Sequence, residues 1–344
     1  MKVDDAISAI LERAQEGVPP SKNDCRKMLE CRHTSAEAAL IRGVASAISR
    51  QRFGNEAIIL GQIGIEIDAC PGQCKFCSFG EEHTYFEPSM MSVDEIVASA
   101  KNFTHAGDLY ALFIMTMHKF GFERLLDVVH RIREIMQVKP QIVVNIGDFD
   151  RTQADELRKA GVNGAYHVCR LREGRDTALD PEQRKRTIKI IRDAGLDWYY
   201  CCEPIGPEHS SEELVEQLFL GIQNGCFQHA AMRRVYIPTS PLAEFGQITE
   251  LRLAQVTAVV ALASLGCQDT KNIAVHEPNL IGLTSGANVV YAETGANPRD
   301  TEEETSGHRG RDIRACKAML YEAGFDDLLV APNEHRSITE AFKD

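Results

Sequence analysis

Short β-rich runs and amphipathic helical stretches alternate along residues 57–321, and this alternation constrains the fold more than any other feature of the chain. Strand candidates occupy 57–67, 109–115, 141–146, 164–169, 197–202, 232–237, 272–275 and 289–292. Helical periodicity covers 93–103, 122–136, 151–159, 181–193, 211–222, 250–265 and 310–321. Eight strands alternating with helices predict an α/β fold, a (β/α)8 TIM-type barrel. The two short last strands decide between a closed barrel and an open, partial one. Residues 1–52 carry only helical periodicity, with Val3, Ile7, Ile10 and Leu11 on one face and a second run over 36–48. The expected organisation is therefore an N-terminal helical extension over 1–52, a barrel over 53–330 and a C-terminal tail over 331–344. The polar stretch 297–309 reads as a long loop.

Barrels of this kind gather their chemistry at the C-terminal ends of the strands, which marks the loops to inspect. Directly after the first strand candidate the sequence reads CPGQCKFC, so three of the 11 cysteines, Cys70, Cys74 and Cys77, fall within eight residues. Pro71 and Gly72 disfavour a helix there and let the thiolates converge. Three thiolates hold three irons of a cubane and leave the fourth iron open to a ligand. The competing reading is a zinc site completed by His83, in a barrel that serves as a scaffold or binding protein. A structural zinc, however, has little reason to sit at a catalytic mouth.

Composition narrows the partners. With 344 residues and 44% hydrophobic content the chain can bury a large core. A net charge of −12 argues against a phosphate-tracking groove, so a small-molecule substrate is expected and nucleic acid is not. The charged, amphipathic N-terminus lacks the apolar core of a secretory signal, and no apolar run reaches membrane-spanning length. An odd number of cysteines, without the spacing of a disulfide scaffold, fits reduced thiols. A cytoplasmic enzyme is the expectation, with no membrane partner.

The C-x3-C-x2-C pattern, with Phe76 before its last cysteine, resembles the radical S-adenosylmethionine (SAM) superfamily. Within it, the order of AGL at 194–196, EPIGPEHSSEEL, YIPTSPLAEFG and LTSGANVVYAETG resembles the group of biotin synthase, methylornithine synthase and the [FeFe]-hydrogenase maturase. The resemblance implies a [4Fe–4S] cluster on Cys70, Cys74 and Cys77. It also implies SAM on the fourth iron, reductive cleavage to a 5′-deoxyadenosyl radical, and a one-electron donor such as flavodoxin or ferredoxin. It places Phe76 at the adenine through its backbone and Arg184 at SAM, and runs Glu203, Ile205, Tyr236 and Ile237 beside the adenine. Relatives carry an acidic turn after the second strand. Here that turn is Met115-Thr116-Met117-His118, so backbone carbonyls, the Thr116 hydroxyl or Asn145 are expected to replace it. After the fourth strand Arg170 stands where relatives have an acid, unless Glu173 takes that role.

His276 and Glu277, after the seventh strand, pair an imidazole with a carboxylate at the mouth and are the candidate catalytic groups. The second-cluster positions of biotin synthase align near Ile114, Val143, Tyr200 and Ile273, so that activity is not expected. Strand alternation lets only one of Cys201 and Cys202 face inward. Together with Cys169 that makes an auxiliary cluster, and hence lipoyl-type sulfur insertion, the weaker alternative to chemistry on a small metabolite or cofactor precursor.

Overall fold

The computed structural model describes residues 3–85, 87–136, 139–295 and 311–339. Its centre is a barrel of eight parallel strands: β1 (Glu56–Gly64), β2 (Ala111–Met115), β3 (Gln141–Asn145), β4 (Gly164–Tyr166), β5 (Asp197–Ile205), β6 (Gln228–Arg233), β7 (Asn272–His276) and β8 (Val289–Gly295). Each pairs with its neighbours in sequence, and β1 bonds to both β2 and β8, so the barrel is closed.

Around it run α4 (Val93–Thr104), α5 (Phe122–Met136), α6 (Arg151–Lys159), α7 (Pro181–Asp193), α8 (Ser211–Gln223), α9 (Glu250–Ala263), α10 (Leu280–Leu283) and α11 (Ile313–Glu322). Three helices precede the barrel: α1 (Asp5–Gln15), α2 (Lys22–Glu30) and α3 (Ala36–Arg52). Capping boxes at Ser92/Glu95, Asp150/Gln153 and Ser210/Glu213 end three of the mouth loops by satisfying the first free N–H groups of α4, α6 and α8.

The N-terminal helices explain why α9 is buried on all sides, unlike an ordinary surface helix. Its inner face lies on the barrel, while Arg252 donates to Leu29 O (2.6 Å) and Gln255 to Met28 O (2.8 Å) and Cys31 O (2.9 Å) across its outer face. Polar side chains thereby absorb the carbonyls freed at the end of α2.

Several boundaries differ from the sequence expectation. The sixth strand is Gln228–Arg233 rather than 232–237, because the interior takes Gln228 and small Ala230, whereas the apolar Val-Tyr-Ile run that follows is loop. The first strand breaks after Gly64, and Glu66–Ile67 pairs instead with Ser89–Met90 to form a lip. The tail expected from 331 is partly ordered: Asp327–Ala331 pairs with β1 and folds back on Glu334–Ser337. The stretch 297–309 and the end of the tail, 340–344, lie outside the described residues.

Glycine lets α8 approach the barrel wall. A Cβ on Gly221 would come 2.5 Å from Tyr200 Cδ1 and 2.7 Å from His229 Nε2, whereas one on Gly43 in α3 meets nothing within 4 Å. Gly221→Ala is expected to cost about 1–3 kcal/mol by overpacking, and Gly43→Ala to stabilise by about 0.5–1 kcal/mol. Denaturant unfolding of the two variants checks both signs.

Candidate active site

At the C-terminal mouth of the barrel lies a cavity of about 260 Å³. Cys70, Cys74, Cys77 and Phe76 line it together with Thr116, Asn145, Arg170, Arg184, Glu203 and His276, which come from the ends of β2, β3, β4, β5 and β7 and the start of α7. The cysteine loop turns tightly. A Cβ on Gly72 would lie 3.3 Å from Cys74 Sγ and 3.4 Å from Cys70 Sγ, so the missing side chain leaves the space in which those thiols converge. Burial pushes the Cys74 thiol up to about 12, with the Arg170 charge pulling it back. His83 lies against Gly80 with Nε2 2.9 Å from Cys77 O, which engages one of its ring nitrogens with the loop backbone.

Two arginines frame the opposite wall. Arg170 Nε lies 3.3 Å from Glu203 Oε1 and Nη1 lies 3.7 Å from Glu173 Oε2, while the Arg170 N–H donates to Glu173 Oε2 at 2.8 Å. Tyr166 donates its hydroxyl to the other Glu203 oxygen. Burial works against the Arg170 charge, but Glu203, Cys74 and Glu173 hold it firmly protonated. Arg184 donates from Nε to Val168 O (3.0 Å) and from Nη1 to Asp148 Oδ1 (3.2 Å). Asp148 also accepts from Thr187 Oγ1 (2.7 Å) and lies 3.4 Å from His167 Nε2. Burial opposes its ionisation, yet His167, Arg184 and Thr187 keep it well below the usual carboxylate range.

Five of the expected site residues are not among those lining the cavity. Glu173 sits behind Arg170 and accepts from Thr177 Oγ1 (2.7 Å). Ile205 is barrel core, Tyr236 is solvent-exposed and Ile237 is buried in the loop after β6. Glu277 lies 3.4 Å from Arg233 Nη2, while His276 turns to the cavity with its ring centroid 4.0 Å from that of Tyr291. Among the lining residues that sequence reasoning missed is Glu66, whose Oε1 accepts the Met117 N–H at 2.8 Å; burial raises its carboxyl. The signal was a lone acid ending an apolar run, QIGIE. Tyr166, Glu293 and Met232 also line the space.

Inward and outward faces are set by aromatic contacts. Phe113 of β2 meets Tyr199 of β5 and Tyr291 of β8 across the lumen, with centroids 5.1 and 6.1 Å apart. Tyr199, Cys201 and Glu203 therefore face inward, and Tyr200, whose hydroxyl donates to Gln217 O of α8, faces out with Cys202. Cys169 lies on the outer side against Pro181 O. The expected second-cluster position Tyr200 is thus turned away from the lumen.

Residues 67–216 match the family model described as the radical SAM superfamily. Over that stretch the chain carries a radical SAM superfamily domain. Among curated relatives it is similar to the biotin synthase of Carboxydothermus hydrogenoformans, 27% identical over 198 residues, 54% of this chain and 59% of that enzyme. The match to the biotin synthase of a Nocardioides species is 24% identical and covers 84% of this chain and 78% of that one. Among solved structures it is similar to methylornithine synthase, with a TM-score of 0.77, 17% identity and coverage of 92% and 96% of the two chains. A FeFe-hydrogenase maturase from Carboxydothermus hydrogenoformans gives 0.75 at 15% identity, covering 93% of this chain and 78% of that one. These structures share the barrel fold. No helix among the described residues is long and apolar enough to cross a membrane.

Burial and Arg184 push His167 down to about 3, so it is neutral in the folded protein although the unfolded chain protonates it near pH 6.5. The unfolded state then binds more protons, and stability is expected to fall as pH drops from about 6.5 toward 3. The His167 ring resonances should not titrate between pH 8 and 5, and the pH slope of unfolding should flatten in His167→Gln; NMR and denaturant titrations measure these.

Proposed function

We propose that this radical SAM enzyme carries a [4Fe–4S] cluster on Cys70, Cys74 and Cys77 and acts on a small metabolite or cofactor precursor. The observation that carries the reading is that the three cysteines share one cavity with the arginine–carboxylate wall. The donor set fits the group: three half-buried thiols on one short loop, with Cys70 and Cys74 facing the space left by Gly72, a loop chemistry suited to iron–sulfur ligation. When bound, the cluster and SAM supply an organic radical on receipt of one electron, for which a flavodoxin- or ferredoxin-like donor is the proposed partner.

The chain's own residues then have separable tasks. Arg170 and Arg184, fixed by Glu203 and Asp148, offer directional donors to a carboxylate. Glu66 presents a carboxylate to a cationic group from the far side, beside Thr116 and Asn145. Phe76 holds the loop edge against the ligand. His276, on the β7 side, is assigned to the substrate, with Tyr291 fixing its ring. The aromatic layer of Phe113, Tyr199 and Tyr291 closes the lumen below, which keeps water out and limits the substrate to the mouth.

Biotin synthase activity itself is not proposed. Of the inward strand positions around the lumen, Phe113, Val143, Cys201 and Ala274, only one is a cysteine. A second cluster needs more ligands than that, so sulfur insertion is the weaker reading.

Anaerobically reconstituted protein is expected to bind about four irons, and Cys77→Ala to abolish release of 5′-deoxyadenosine from SAM while circular dichroism stays unchanged. Parental release by that variant, or stoichiometric zinc with no iron, would overturn the proposal. His276→Ala is expected to keep the iron content and uncoupled SAM cleavage, and to lower turnover of the native substrate by about two orders of magnitude. Loss of SAM binding in a ligand-binding assay would move His276 to the cofactor.

A further inference from the structure

The cysteine loop is gripped at Gly72 and Lys75 from two sides by loops that belong to other strands. On one side the loop after β4 provides two backbone bonds: Lys75 N–H donates to Asp176 O at 3.0 Å, and Ala178 N–H donates to Gly72 O at 2.7 Å. Lys75 Nζ adds a bond to Arg175 O at 2.8 Å. On the other side a single side chain reaches in from the loop after β6, where the Ser240 hydroxyl donates to Lys75 O. Ser240 is buried, and its oxygen also accepts the Leu242 N–H at 3.0 Å, so the hydroxyl is oriented by its own turn. Both polar groups of the Lys75 peptide are thereby used, N–H by one loop and C=O by the other.

We propose that Ser240 is a positioning residue for the cysteine loop, its hydroxyl fixing the backbone between two metal-binding thiols before any metal arrives. The inference rests on the cluster reading of that loop given above. Three thiols on a free loop would lose backbone freedom at the moment of binding, whereas a loop already held loses little. The Asp176 and Ala178 bonds are made by backbone and survive side-chain changes, which leaves Ser240 as the removable side-chain contact to Lys75 O. Ser240 touches neither cluster nor substrate; it acts through Lys75.

Two readouts test this without activity. In the metal-free protein, Ser240→Ala is expected to speed hydrogen exchange at the Lys75 and Cys77 amides by about fivefold, the size of one hydrogen bond. In the reconstituted protein it is expected to speed iron release to a chelator by a similar factor. Ser240→Thr, which keeps the hydroxyl, should restore both. Faster exchange confined to residues 242–246, with Lys75 and Cys77 unchanged, would overturn the proposal, because Ser240 would then support only its own turn. A Thr variant as impaired as Ala would overturn it too. The exchange measurement needs no metal, so a parent protein that bound no iron would sink the cluster reading while the grip was still decided by exchange.

Discussion

Everything at the mouth depends on β1 being hydrogen-bonded along both edges. Its pairing with β8 over 58–64 and with β2 over 60–64 closes the barrel and leaves its end no freedom to wander. The chain therefore emerges from a fixed point. Ile65 N–H bonds to Met115 O at 3.0 Å, Glu66 reaches the next turn, and the cysteine loop begins four residues later in a place set by the sheet. Loops carry the chemistry here, but rigid neighbours hold them.

The cavity is also a problem in electrostatics solved locally. A chain of net charge −12 brings two arginines to one small space and buries most of both. Each is held by carboxylates: the more deeply buried Glu203 and Glu173 for Arg170, and Asp148 for Arg184. Tyr166, Thr187 and backbone groups take up remaining lone pairs, which is what a buried ion pair requires to be tolerated. Neutral His167 adds contact to Asp148 without adding charge at ordinary pH.

Much of this was legible in the sequence because it was written in periodicity and spacing. The strand–helix alternation announced the barrel, and CPGQCKFC after its first strand announced the cysteine loop. Failures have particular causes. Gln228 and His229 are polar residues in a buried strand, so the apolar Tyr236 and Ile237 nearby drew the sixth strand to the wrong place. Glu277 stands next to His276 in sequence, but on a strand end adjacent side chains diverge, and Arg233 draws it off. Glu66 and Asp148 reach the site or its second layer through contacts 51 and 36 residues away. Such pairings depend on register, which no local pattern records.

The helices before the barrel are more than an appendage. Because α9 is apolar on its outer as well as its barrel-facing side, α2 and α3 serve as its sheath, and Arg252 and Gln255 fasten that sheath through backbone carbonyls. A chain shortened to start at the barrel would present a naked greasy rod along one flank, inviting a second molecule to lie there. The first fifty residues thus complete the packing of the barrel's own outer layer, and the self-contained unit of this chain is larger than its barrel.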